Sequence, residues 1–543
     1  MTLKTFKIIP TLGLKNDVPI DNNSLFEFIS EGVAKTHDVG GVNVSYARKR
    51  GAATKGLGYV RHDTTAASGT TTGCQGMFEL KNGGNTDHLY WDHGRMYYLV
   101  ERVITLDSAP VSFSATTSDL ITAVQAGEYV IFTDMGNATP WMWKNGDTTP
   151  NKFVGGSGAN TTEYTFKYIE SFQRRLFGAY DTLAASDGEF SVRWSSAWPT
   201  LAIDHANMGF PAANQLYTPN DDVITGIKRM GGDKCFVYCE DSIHALMYYP
   251  DYETVFGMKN VIEGQGCTGQ HSIISIGKRH FLYNKNYGFC EFRGDVFPYG
   301  KPISDDIEAD ILSINEASAN RIVGKYIPQT RELCWTVPVD NITCNKLLFY
   351  SLETQQWRKE DKAMSFIDVW TTSGGYTWSD FVSAIGGTSI WSDSSTASWN
   401  EFVATEGGLV MSPKDGKIYY HSSEGLDGAA LDGYRIEPAM SFGDPARIDH
   451  LQEIWFNVGY SNSGKSIDVE WRGGDTVGEI SEANWESLST IPLTNPSTIT
   501  TMPVIRDQFK TARLHQIKWG SNAADEKWEV SDITFKYTSG GNI

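Results

Sequence analysis

Along most of the chain, short runs of aromatic and β-branched residues alternate with polar or glycine-bearing turns, the pattern of consecutive β-hairpins. "LYWDHGRMYYLV" (89–100) predicts a turn at Asp92-His93-Gly94, "CFVYCEDSIHALMYY" (235–249) one at Glu240-Asp241-Ser242, and "RHFLYNKNYGFCEFRG" (279–294) one near Asn284-Lys285-Asn286. In each, one face alternates apolar and the turn residues tolerate tight backbone angles. Helical spacing is confined to two stretches. One is "LFEFISEGVAK" (25–35); the other is 303–321, where Ile307, Ile311 and Ile314 recur at helical spacing behind a Ser304 cap, with Asp305 and Asp306 in the first turn.

The hairpins are also spaced. Apolar runs begin near Met96, Tyr129, Leu176, Cys235, His280 and Leu333, at intervals of roughly 35 to 60 residues that bracket the ~40–50 residues of a four-stranded propeller blade. "NKLLFYSLETQQWRKED" (345–361), an apolar strand, a turn at Glu353-Thr354 and a strand carrying Trp357, reads as the outer hairpin of a blade. The expected class is all-β, with a β-propeller body over 71–435 and a generic sandwich as the competing architecture. Beyond residue 436 the strands lengthen and alternate at the turn spacing of a sandwich, so 436–543 is expected to be a C-terminal β-sandwich-like domain. Residues 1–70, rich in Gly, Asn, Asp and Thr, precede the first clear hairpin and are expected to form an extended N-terminal arm against the body or a neighbour.

Charge narrows the function classes. With 46 Lys+Arg against 65 Asp+Glu over 543 residues, the net charge of −19 repels a phosphate backbone, so any nucleic-acid role must be local or indirect. Hydrophobic residues at 40% and 53 glycines exclude default disorder and describe a folded, turn-rich chain. The seven cysteines are odd in number and scattered, which is no disulfide framework; they are expected reduced and half-buried. Pro10, Gly13 and Lys15 interrupt the only N-terminal apolar run, and no run reaches the ~18 apolar residues of a membrane helix, so neither a signal peptide nor a membrane segment is expected and synthesis is placed in a cytoplasm. On that expectation the Asn-x-Ser/Thr triplets at Asn43, Asn137 and Asn341 are chance matches.

No catalytic constellation stands out. Gly51 and Gly56 give the spacing of a phosphate loop, but Leu57 and Gly58 follow where Lys and Ser/Thr are required. Cys235 and Cys239, with His244 nearby, lack the second ligand pair of a structural zinc site and share a strand face by its period of two. The doublets Asp221-Asp222 and Asp305-Asp306 are not the separated carboxylates of a glycosidase. "TTSGGYTW" (371–378) matches a sialidase-type Asp-box at Gly375, Thr377 and Trp378, with Ser373 at the Asp position; the box is a structural turn. The basic stretch 45–62, with Arg48, Lys49, Arg50, Lys55 and Arg61, has only Tyr46 and Tyr59 as flanking aromatics. It is expected to pair with carboxylates of the same subunit or a neighbour, which makes Arg48, Lys49, Arg50 and Arg61 interface candidates rather than a nucleic-acid grip.

The order of "GLKNDVPIDNNSLFEF", "GGVNVSYARKRGAATKGLGYV", "YIESFQRRLFGAYD…SVRWSS", "DVITGIKRMGGDKCFVYCEDSIHALMY" and "GQGCTGQHSIISIGKRHFLYNKNYGFCEFRGDVFPYGKPISDDI" resembles the tail nozzle proteins of short-tailed bacteriophages, also called head-to-tail stabilisation or tail tubular proteins. "ARLHQIKWGS…WEVSDITFKYTSGG" is similar to the final strands of their C-terminal β-domain. The resemblance implies a structural role in the virion tail and no enzymatic activity or cofactor. Six copies would ring the channel below a portal adaptor, with a tail fibre, tailspike or needle as further partners. Genomic DNA would pass through the lumen without sequence-specific binding, which an acidic wall favours. The alternative expectation is a propeller glycan hydrolase or receptor-binding module of a phage tail, whose 16 Trp could stack on sugars.

Overall fold

The computed structural model describes residues 4–8, 21–22, 40–47, 52–55, 58–61, 73–82, 85–92, 95–100, 103–106, 120–147, 150–153, 164–184, 187–198, 209–249, 255–294, 301–371, 408–413, 417–422, 432–442, 447–461, 465–493, 500–503, 510–522 and 528–542. Among them the hairpin pattern resolves into antiparallel four-stranded sheets in chain order. The first holds Cys74–Asn82, Asn85–Asp92, Arg95–Val100 and Val103–Leu106; the second Thr122–Ala126, Tyr129–Thr133, Trp141–Trp143 and Asn151–Lys152. The third holds Phe166–Phe172, Arg175–Asp181, Ser191–Trp194 and Gln215–Tyr217; the fourth Ile224–Met230, Lys234–Cys239, Ser242–Tyr248 and Phe256–Glu263. The fifth holds Ile274–Ile276, Arg279–Asn284, Gly288–Phe292 and Lys301–Pro302. Val323–Ile327, Glu332–Val337, Lys346–Ser351 and Trp357–Glu360 form a sixth group. The seventh, Phe366–Trp370, Gly408–Ser412 and Tyr419–Ser422, takes its fourth strand, Gly58–Arg61, from the other end of the chain.

The first strands of consecutive sheets are neighbours, and Phe366–Trp370 of the seventh also lies beside Cys74–Asn82 of the first. Hydrogen bonds tie the sheets to one another. Gln270, in a 3-10 turn, accepts from Ile227 N at 3.1 Å and donates to Ile169 O at 3.2 Å, so one buried amide joins the third, fourth and fifth sheets. Trp335 Nε1 donates to Ser272 O at 3.0 Å. Between neighbouring sheets apolar side chains interlock: Phe289, Trp335 and Trp357 pack with ring centroids 4.4 and 5.5 Å from Phe289.

The longer strands near the C-terminus build two further sheets. Arg447–Ser461 and Trp528–Asn542 are the centre of one, joined by Thr500–Pro503, Lys510–Ala512 and the early strands Lys4–Ile8, Val44–Ala47 and Ala52–Lys55. Gly433–Ile436, Leu514–Ser521, Lys465–Gly474 and Glu486–Leu493 belong to the other. Phe456, Trp519, Trp528 and Phe535 share a buried core between them. The segment read as an arm is thus distributed as strands among three sheets. Gly433–Ile436 already pairs with Leu514–Ser521, so the C-terminal sheet begins just ahead of residue 436.

The sixth group and the C-terminal sheet are one continuous eleven-stranded sheet, because Gly40–Val42 lies between Trp357–Glu360 and Gly433–Ile436. Asn43 fixes that insertion. Its N–H donates to Lys359 O at 2.8 Å, its Nδ2 to Asp432 O at 2.6 Å, and its Oδ1 accepts from Asp361 N at 3.0 Å. The residue is buried, with φ of 52°, in the left-handed region that asparagine tolerates better than most residues.

Two local expectations are corrected. Over 303–321 the chain is helical in three short pieces, Asp305–Ile307, Glu308–Leu312 and Glu316–Arg321, and Ser304 makes no side-chain cap. Its hydroxyl accepts from Phe289 N at 3.0 Å, because the adjacent strand offers a buried donor. The seven cysteines form no disulfide and are buried rather than half-buried. The stretch 25–35 lies outside the described residues.

Replacing Asn43 by Ala should cost about 2–4 kcal/mol, through two lost side-chain hydrogen bonds and a strained backbone. Asn43→Gly removes the same bonds without the strain and should cost less. Urea unfolding of the three proteins checks the order; equal midpoints for all three would show that this residue does not hold the splice.

Candidate functional site

The first strands converge on a cavity of about 250 Å³ lined by side chains from the first, second, fourth, fifth, sixth and seventh sheets. Its apolar wall includes Met77, Phe78, Ile121, Tyr326 and Phe366, and its polar groups include Thr122, Lys228, His271, Ser275 and Lys325. Gly324 is required there by close approach: a Cβ would stand 2.5 Å from the Trp335 indole.

Carboxylates flank the lysines from neighbouring strands. Lys228 Nζ stands 3.7 Å from Glu170 Oε2, linking the fourth sheet to the third, and Lys325 Nζ stands 2.7 Å from Asp368 Oδ1, linking the sixth to the seventh. The acids are themselves held: Glu170 accepts from Ser171 N at 2.9 Å and Arg229 N at 3.3 Å, and Asp368 from Val369 N at 2.9 Å and Trp370 Nε1 at 3.2 Å. His271 meets Thr122 Oγ1 at 3.5 Å and Phe366 edge-on at a ring separation of 5.7 Å. Burial, followed by the ammonium groups of Lys325 and Lys228, pushes its imidazole down to about 3. At neutral pH the ring is uncharged and a very weak base.

A second ionic cluster lies where the sixth and seventh sheets meet. Glu360, fully buried, receives Arg358 Nη1, Lys362 Nζ at 2.6 Å and His421 Nε2 at 3.2 Å, while Arg358 makes a two-pronged contact with Glu332 at 2.8 and 2.9 Å. The Arg358 guanidinium lies 3.5 Å from the Phe349 ring centroid, and Phe349 stacks on His421. Burial raises the Glu360 carboxyl, but Lys362, His421 and Arg358 together outweigh it and hold it well below the usual carboxylate range. This cluster is sealed from solvent and binds the frame rather than a ligand.

Of the sequence-stretch candidates, Arg48, Lys49 and Arg50 lie outside the described residues. Arg61 ends the strand Gly58–Arg61, its backbone opposite Tyr419, and its side chain lies outside the described residues. Lys55, from the same stretch, donates to Ser521 Oγ at 3.2 Å. Cys235 and Cys239 share an apolar core with Ile227 and Val237. Asp222 accepts from Asp241 N and, at 2.5 Å, from Ser242 Oγ, which also meets His244 Nε2 at 2.8 Å. Asn43, in an Asn-x-Ser triplet, is buried in the splice. The Asp-box-like turn lies outside the described residues beyond Thr371. The cavity residues went unnoticed in the sequence. Its one signal was charge at Glu170, Lys228, Lys325 and Asp368 within largely apolar strands.

No family model matches the chain, and no curated protein matches it. Among solved structures it is similar to the extracellular domain of a putative hybrid two-component system from B. thetaiotaomicron, with 8% identity, TM-score 0.40, and coverage of 83% of this chain and 47% of that one. The chain therefore spans about half the length of that protein. A putative 6-phosphogluconolactonase from Bacteroides fragilis follows at 12% identity and TM-score 0.31, covering 55% of this chain and 79% of that one. A quinonprotein alcohol dehydrogenase-like protein from Bacteroides thetaiotaomicron gives 10% identity and TM-score 0.33, covering 53% and 66%.

Two outcomes follow from the electrostatics. Lys325→Met should raise the His271 pKa, read by NMR titration of the ring, while burial keeps it below the ordinary value of ~6.5; an unmoved pKa would mean that the ammonium does not act on the imidazole. Glu360→Gln removes the carboxylate that Lys362 contacts and leaves Arg358 with Glu332 as its acid, and should cost about 3–5 kcal/mol at pH 7. Because the folded carboxyl is depressed, that contribution is complete above the unfolded value of ~4.3 and is lost as pH falls through the lower folded value. The stability gap between wild type and variant, from urea midpoints, should stay constant down to about pH 5 and narrow only below ~4.3.

Proposed function

We propose that this chain is a structural subunit of a bacteriophage tail nozzle, with its successive four-stranded sheets acting as the seven blades of a β-propeller closed by the N-terminal strand Gly58–Arg61. The observation that carries a structural role is the continuous sheet through Gly40–Val42, which makes the body and the C-terminal sandwich-like region one hydrogen-bonded frame. Interfaces between domains of one chain are ordinarily modest and permit relative motion; a shared sheet removes that freedom. Such stiffness suits a conduit wall that must keep its bore while a genome passes.

The particular role rests on the collinear sequence motifs. In it, copies of the chain, six by the resemblance, form a ring in the virion tail beneath a portal adaptor, and DNA travels through the ring's lumen. The net charge of −19 per chain favours passage without adhesion, over the ~8 Å reach that physiological salt permits. The cavity supports a non-enzymatic reading too, since its imidazole is too weak a base for proton abstraction at neutral pH and its lysines are already engaged by carboxylates.

Electron microscopy of virions labelled with an antibody against the full chain should decorate the tail immediately below the portal. Label on the capsid faces, or virions that carry none of this chain, would overturn the assignment.

A further inference from the structure

The cavity among the first strands has a chemical bias at odds with the rest of the molecule. In a chain with 65 acidic against 46 basic residues, the described residues lining it include two lysines and neither Asp nor Glu. Glu170 and Asp368, the partners of those lysines, stand behind the wall, where backbone and indole N–H groups hold them. Each ammonium carries three donors, so one contact with its carboxylate leaves capacity for an acceptor inside the cavity. The lysine side chains are about one-third exposed, at 32% and 33%, so their acids do not enclose them.

We propose that this cavity binds a small organic anion, whose carboxylate or phosphate oxygens lie between Lys228 and Lys325 and whose apolar part rests against Phe78 and Phe366. The Thr122 hydroxyl and the uncharged His271 ring add neutral hydrogen-bonding groups beside the two cations. At about 250 Å³ the cavity lies just below the ~300–1,000 Å³ of ordinary ligand pockets, which favours a small occupant. Charge-assisted bonds to two ammonium groups on separate sheets give the anion its preference over a neutral molecule of the same shape. Occupancy would also tie the fourth sheet to the sixth across the fifth, a link that the protein makes by no direct ion pair among the described residues. This site is independent of the tail assignment, and its test does not depend on that reading.

The probes are benzoate, inorganic phosphate and, as the neutral counterpart, benzyl alcohol, titrated calorimetrically into the full-length protein. Saturable one-to-one binding of benzoate, with none of benzyl alcohol, supports a carboxylate ligand; tighter binding of phosphate than benzoate supports a phosphate ester. Lys325→Met should weaken the bound anion at least ten-fold and Lys325→Arg only a few-fold. Because Lys325→Met leaves Asp368 without its cation, Lys325→Met combined with Asp368→Asn serves as the second variant, with its fold checked by circular dichroism. No binding of either anion, or equal affinity in wild type and the folded double variant, overturns the proposal.

Discussion

The constraint on which this architecture depends is the place of residues 40–43 between two sheets that would otherwise each end in an open edge. The outer strand Trp357–Glu360 and the strand Gly433–Ile436 expose unsatisfied backbone groups unless a third strand fills the gap. Gly40–Val42 fills it, running parallel to one and antiparallel to the other, and Asn43 closes the ladder with three hydrogen bonds. From there the same segment turns into Val44–Ala47 and Ala52–Lys55 of the other C-terminal sheet, and then into the outer strand of the seventh sheet. One early stretch of chain therefore sets the relation between the body and the C-terminal sheets.

Charge is used in two opposite ways inside this frame. At the outer junction Glu360, Arg358 and Lys362 are removed from water with Glu332 at their margin, two acids against two bases, so that losing any one member leaves the cluster with an unbalanced charge. Around the inner cavity the pairs are half-open. The carboxylates are anchored by backbone donors and the lysines stay at the wall, so the cations retain contact with the space among the strands. A neighbouring pair, Arg435 and Glu437, bonded at 2.7 Å and capped by Trp519 Nε1 at 3.0 Å, repeats the sealed arrangement inside the C-terminal sheet.

Much of the repeat was legible because its clearest signal comes from one strand type. The apolar runs at Tyr129, Leu176, Cys235, His280 and Leu333 begin at or beside the second strands of the second to sixth sheets; Met96 falls on a third strand of the first. Second strands are covered by sheets on both faces, so their residues are nearly all apolar, as in "KCFVYC" and "ELCWTV". First strands such as "ITGIKRM" and "VGKYI" carry the lysines of the cavity, which breaks the apolar pattern. The site was illegible for the same reason that it exists: its residues lie up to several hundred positions apart and meet only when the first strands converge.

The hairpins, the turns that end them, the absence of a disulfide framework and the acidic balance follow from the amino-acid sequence, because each of these is set by neighbours within a few residues or by composition alone. Tertiary structure alone decided that Gly58–Arg61 completes a sheet begun more than three hundred residues later, that Gly40–Val42 splices two sheets into one, and that Lys228 and Lys325 face the same cavity. Strand pairing between distant segments carries no local sequence code: any alternating strand can fill an open edge, and which one does is settled by the geometry of every other sheet already packed around it.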